Sequence, residues 1–230
     1  MTKLQVKSPF FIFNPKSNLY GEELLELAKV ADELQAKHDD ITIMVTSPYA
    51  DIANLSANTK NIIISAQHMD GIKPGAGMGH VLPESLYNAG ARASFINHAE
   101  HPMTSAEIVA AMRRADELGI ITIVCADSLE EARAIATLKP DIILCEPTEL
   151  IGTGQTSDES YITETNQAIR EVDENILIMQ AAGISNADDV YRTISLGAHG
   201  TGCTSGIVKA EDPKQMLIDM VEAAIKASKK

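Results

Sequence analysis

Cysteine is scarce in this sequence and poorly placed for cross-linking. The 230 residues hold three, Cys125, Cys145 and Cys203, each at the end of a short apolar run and none in a CxxC spacing. That pattern argues against a disulfide framework or a metal site and for buried free thiols in a reducing compartment. Positive charge is also short: 19 Lys and Arg face 32 Asp and Glu, a net charge of -13. Such a surface repels nucleic acid and anionic membrane, so neither is an expected partner, although a local cation can still hold one small anion. Long apolar segments are missing as well. The opening MTKLQVKSPFFIFN carries basic residues but too short an apolar run for a signal peptide or a spanning helix, and the expected location is cytoplasmic. No Pro-, Gly- or Ser-rich linker and no low-complexity tract divides the chain. With 45% hydrophobic residues it can bury one sizeable core, so residues 1–230 read as a single domain. The final KASKK reads as a solvated helix end.

What the chain does have is a recurring short apolar run. Seven are plain: FFIFN (10–14), ITIMV (41–45), IIISA (62–66), ASFIN (93–97), ITIVC (121–125), DIILC (141–145) and ILIMQ (176–180), with a glycine-rich eighth near HGTGC (199–203). Unbroken runs of this length suit parallel strands buried on both faces. Helical periodicity fills 22–38, 105–119, 128–138, 186–197 and 212–227, with Glu107 in a first turn, Gly119 as a stop, and Ser128 and Glu131 spaced as a capping box. Eight strands interleaved with helices point to a (β/α)8 barrel with little room for insertions. An open doubly wound sheet is the competitor, but no GxGxxG follows the first strand.

In a barrel of this kind the chemistry sits just after each strand. Those positions hold Asn14 and Lys16, Gln67 and His68, Asn97 and His98, Asp127, Glu146, and Gly183 with Ser185. The richest of them is CEPTELIGTG (145–154), where a carboxylate emerges from a buried strand and Gly152 and Gly154 free the loop around Thr153 to close over a ligand. Each residue alone has a plain reading: a solvated glutamate, a surface lysine, a histidine satisfied under a loop. One cation, one imidazole and one carboxylate on one rim make a catalytic constellation.

These stretches, taken in order, resemble the triosephosphate isomerase family in its short, archaeal form. The likeness runs through FNPKSN, AQHMDGIKPGAGMGHVLPE, INHAE, CEPTELIGTG, AAGISNADDV and TSGIVKAEDP. It implies an aldose–ketose isomerase that interconverts dihydroxyacetone phosphate and glyceraldehyde 3-phosphate without metal or organic cofactor. By that resemblance Glu146 is the base, His98 the neutral imidazole, and Asn14 and Lys16 the support for the enediolate. A glutamate base beside a neutral histidine under a closing loop is the worked pattern for this family. A helix start near the TSAE at 104–107 would help to keep the imidazole neutral. The substrate phosphate belongs where backbone N–H groups cluster, at Ile151 and Gly152 in the lid, at Gly183, Ile184 and Ser185, and at Ser205 and Gly206.

The sequence also departs from the family pattern. Ala99 stands where a serine usually follows the histidine, and His101 and Pro102 stand where an arginine is common. QTSDESY follows the lid without the usual lysine. His98, Glu100 and His101 offer no ligand spacing that favours a metal. Two further function classes stay open: an isomerase of a longer phosphosugar such as a tetrulose phosphate, given a roomier pocket behind Ile151 or around His68 and Met69, and a non-catalytic phosphosugar-binding protein. Short family members often form homo-oligomers, dimeric or tetrameric, and the loop GIKPGAGMGH is a candidate contact.

Overall fold

Eight parallel strands pair in chain order and close into a barrel: β1 (Phe10–Phe13), β2 (Thr42–Ser47), β3 (Ile63–Ala66), β4 (Ala93–Ile96), β5 (Ile121–Ala126), β6 (Ile142–Cys145), β7 (Leu177–Gln180) and β8 (Gly200–Cys203), with β8 against β1. This computed structural model describes residues 2–229; Met1 and Lys230, the two ends of the expected domain, lie outside the described residues. Because side chains alternate along a strand, each run serves two cores. Phe10, Ile12, Phe95, Leu144 and Met179 belong to the cluster within the barrel, and Phe11, Phe13, Ile96 and Ile143 to the cluster under the helices. That double burial is why the runs read as unbroken apolar sequence.

The eighth strand is glycine-rich for a steric reason. Gly200 pairs with Phe10 and Gly202 with Ile12. A Cβ on Gly200 would sit in the Phe10 ring, and one on Gly202 would meet the Ile12 carbonyl and Met179. Small residues on β8 leave the barrel interior to the bulky ones of β1 and β7.

Outside the strands lie α1 (Gly21–Lys37), α2 (Ile52–Asn58), α3 (Pro83–Ala89), α4 (Ser105–Leu118), α5 (Leu129–Ala136), α6 (Glu159–Val172), α7 (Ala187–Ser195), α8 (Ser205–Val208) and α9 (Pro213–Ser228). The full capping box is at Thr104 and Glu107, and Gly119 ends α4 in a left-handed conformation. At α5 the expected box is half made. Ser128 accepts the Glu131 N–H, but the Glu131 carboxylate turns elsewhere, to Asn97 and the Asp127 N–H. Helices α2, α3 and α6 carry no clear sequence signal. The first two have seven residues each, fewer than two turns and too few for a period to show. Among the described residues no helix is long and apolar enough to cross a membrane.

Candidate active site

The loop after β1 delivers the cation. Lys16 adopts a left-handed backbone, φ 51°. Its N–H donates to Asn14 Oδ1 at 3.0 Å, and its carbonyl accepts from Gln67 Nε2 at 2.8 Å. These two side chains offset the strain of a non-glycine residue in that region. The Lys16 ammonium then meets Glu100 Oε1 at 2.7 Å. Burial alone would raise the Glu100 carboxyl, but the hydrogen bond and charge of Lys16 bring it below its ordinary value.

The imidazole comes from the turn after β4. His98 Nδ1 accepts the Glu100 N–H at 3.1 Å, which leaves Nε2 to carry the proton of the neutral ring. The helix start foreseen behind His98 is α4, capped at Thr104; the bond that fixes the ring is this one, from Glu100 ahead of the helix. Burial lowers the His98 pKa, with Lys16 adding to the effect and Glu100 opposing it.

Glu146 leaves β6 with its N–H on the Ala126 carbonyl, 3.0 Å away. Its Oε2 lies 4.0 Å from His98 Nε2, and the two side chains are only 16% and 12% exposed. Burial raises the Glu146 pKa, partly offset by Lys16. With the histidine neutral, the pair is a carboxylate facing an N–H donor, poised for proton chemistry rather than an ion pair.

The three groups converge on one cavity of about 300 Å³, with Ile12, Phe95, Leu144 and Met179 as its apolar wall. Asn14, Ile151, Gly152, Gly183, Ile184 and Ser205 line it too, together with Ala181 and Thr204, which sequence reasoning did not single out. The loop after β6 begins with Pro147 and a 3₁₀ turn at Thr148–Leu150, then passes through Gly152 and Gly154, both left-handed. Gly183 is also left-handed, φ 67°, and a Cβ there would strike the Gln155 carbonyl, so a glycine lets the end of this loop pack on the turn after β7. Ser185 and Gly206 sit behind this wall. The Ser185 N–H and hydroxyl both donate to Asp189 Oδ2, at 2.9 and 2.7 Å, so its donors face α7 rather than the cavity. Gly206 is pressed against the Ser185 carbonyl and Cys203 Sγ, where a Cβ has no room.

The family model "Triosephosphate isomerase" matches residues 9–224. The chain belongs to the triosephosphate isomerase family. The triosephosphate isomerase of Methanobacterium bryantii is 40% identical over 220 residues, which cover 94% of this chain and 96% of that protein. The triosephosphate isomerase of Sulfurisphaera tokodaii is 36% identical over 226 residues, covering 96% and 98%. That of Methanocaldococcus jannaschii is 35% identical over 205 residues, covering 88% and 93%.

For a member of the triosephosphate isomerase family, the unusual residues around the histidine have definite places. Ala99 and Pro102 line a space of about 100 Å³ behind His98 and Glu146, shared with Asn97, Asp127 and Glu131. The His101 ring packs on that of His68, centroids 4.1 Å apart. Glu100 is held by Lys16. Among the described residues no three of His, Cys, Asp and Glu converge as metal ligands.

Proposed function

We propose that this protein interconverts dihydroxyacetone phosphate and glyceraldehyde 3-phosphate by proton transfer through an enediolate. The observation that carries the reading is the buried Glu146 carboxylate 4.0 Å from a histidine whose Nε2 bears the proton, beside the Lys16 ammonium on one cavity. Glu146 takes the proton from the carbon next to the substrate carbonyl; the C–H electrons form a carbon–carbon double bond while the carbonyl π electrons move onto oxygen, giving the enediolate. Lys16 and the His98 Nε2–H meet that developing charge, where preorganised donors in a water-poor site are most effective. His98 passes a proton between the two oxygens, and Glu146 returns its proton to the neighbouring carbon. Asn14 acts by holding Lys16 in its left-handed turn. The N–H groups around Ile151, Gly152, Gly183, Ile184 and Ser205 suit the phosphate, with Ser185 and Gly206 bracing that wall from behind. Residues 147–157 close over it as the lid, a movement the two glycines ease.

Triose phosphates are expected to be the preferred substrates. An added hydroxymethyl group must fit beneath Ile151 in a cavity of about 300 Å³, and a one-carbon misfit is worth about 1 to 3 kcal/mol in the transition state. A coupled assay on glyceraldehyde 3-phosphate and erythrulose phosphate, run on one preparation, should show kcat/KM roughly 10- to 200-fold higher for the triose. Preference for the four-carbon sugar would overturn the substrate while keeping the chemistry; no turnover of either would leave a phosphosugar-binding protein.

The loop between β3 and α3 supports self-association. Met78 at its tip is fully exposed. A cavity of about 250 Å³ lined by Tyr49, Gln67, His68 and His101 opens beside Lys16 and His98. His68 Nδ1 is buried there without a hydrogen-bond partner. In this reading a second copy's 71–80 loop is the occupant of that space. Sedimentation should give a dimer or larger, and deletion of 74–79 should shift it toward monomer; an unchanged assembly would move the contact elsewhere.

A further inference from the structure

We propose that Asn97 and Glu131 are positioning residues for the reaction, holding the turn that delivers His98 into the cavity. The inference rests on His98 being the polarising imidazole, but its observations are separate. Asn97, between β4 and His98, has φ 61°, a left-handed backbone that residues with a Cβ avoid and Asn tolerates best. Its carboxamide makes three bonds. Nδ2 donates to the Cys125 carbonyl and to Glu131 Oε1, each at 3.1 Å, and Oδ1 accepts the Met103 N–H at 2.9 Å. One side chain thus ties the end of β5, the first turn of α5 and the approach to α4 to the residue before the imidazole.

Glu131 is diverted to this task. It occupies the position from which Glu107 closes a reciprocal box on Thr104. Instead of returning to its own cap, its carboxylate accepts from Asn97 with one oxygen and from the Asp127 N–H, at 2.8 Å, with the other. Burial raises its pKa, with the nearby Asp127 side chain also raising it and the bonds from the Asp127 and Asn97 N–H groups opposing.

Apart from an edge contact with the Phe95 ring, centroids 6.5 Å apart, the imidazole has little else to hold it. The space of about 100 Å³ behind His98 and Glu146 has room for about three waters, so no side chain at Ala99 wedges the imidazole from that side. Its one ring bond comes from the backbone of Glu100, and the His98 carbonyl accepts the His101 N–H at 2.7 Å. The hydrogen bonding that orients the imidazole therefore comes from the 97–101 backbone, and Asn97 sets where that backbone starts.

The test uses Asn97→Gly, which accepts the left-handed backbone but removes all three bonds, and Glu131→Gln, which keeps size but leaves one oxygen for two donors. For Asn97→Gly, kcat on glyceraldehyde 3-phosphate should fall on the order of 10²-fold, the expected consequence of displacing a catalytic group by about 1 Å. KM and binding of phosphoglycolate should stay within about threefold, because the turn that carries Lys16 and the phosphate wall make no bond to Asn97; kcat of Glu131→Gln should fall between this variant and the parent. The ring nitrogens of His98, observed by ¹⁵N NMR, should show one fixed neutral tautomer in the parent and a mixture in Asn97→Gly. If kcat stays within twofold, or falls while the His98 signals keep the parental tautomer, the positioning role is overturned. If the parent itself has no isomerase turnover, the NMR comparison still decides whether Asn97 orients the ring, so the two failures are distinguishable.

Discussion

Replacing Glu146 with glutamine should lower kcat roughly 10²- to 10⁴-fold, the range that a positioned base contributes. The amide keeps the shape of the side chain and its place beside His98, so the fold and the binding of a phosphate-bearing inhibitor should survive. Only proton transfer is lost, and the deficit should therefore fall on kcat rather than KM. The pH profile gives a second handle. Burial raises the Glu146 pKa above its ordinary value and lowers that of His98, with Lys16 opposing the first shift and adding to the second. The reactive combination, carboxylate with neutral imidazole, thus fills as pH rises through the raised Glu146 value and the lowered His98 value. In the glutamine variant the Glu146 ionisation should disappear from the acid limb of whatever activity remains, leaving only that of His98. A variant that kept a tenth of parental turnover would remove Glu146 from the role of base.

The parts of the fold legible in the sequence are those where one chemical demand dominates. Strands β1 to β7 sit on continuous apolar runs because both faces are buried, and helices α1, α4 and α9 show their periodicity over fourteen residues or more. Helix α6 is hidden because its buried stripe is partly polar. Thr165 and Asn166 are buried and accept from Gln180 Nε2 at 2.8 and 3.1 Å, a pairing visible only once β7 lies beside the helix. The site divides in the same way. Asn14, Lys16, His98 and Glu146 were legible because each follows a strand. The turning of Ser185 toward Asp189 depends on α7 packing against its own preceding loop, and the bond from Glu131 to Asn97 joins residues 34 apart in sequence. Neither partner could be chosen from spacing alone, since Ser128 and Glu131 have the same spacing whether the box closes or not.

Lys16→Ala should remove both binding and turnover of the dianionic substrate. Among the described residues that line the cavity, Lys16 is the only lysine or arginine, and it stands against the carboxylates of Glu100 and Glu146. A bound phosphate brings about −1.5 to −2 further charge at neutral pH. Two unit charges 4 Å apart at an effective dielectric constant of 20 interact by about 4 kcal/mol, so loss of the ammonium should weaken phosphoglycolate binding on the order of 10³-fold. Turnover should fall further, because the enediolate loses one of its two donors. Two controls separate charge from backbone. Lys16→Gly relieves the left-handed strain at φ 51° and should be as inactive as the alanine variant; recovery by glycine would assign the loss to the turn. Glu100 is 2.7 Å from the ammonium, and without it an uncompensated carboxylate stands beside the anion site, so Lys16→Ala with Glu100→Ala should bind the inhibitor better than Lys16→Ala alone while remaining inactive. If Lys16→Ala bound phosphoglycolate as tightly as the parent, the phosphate would be held by the backbone N–H groups alone and the electrostatic role of Lys16 would be lost.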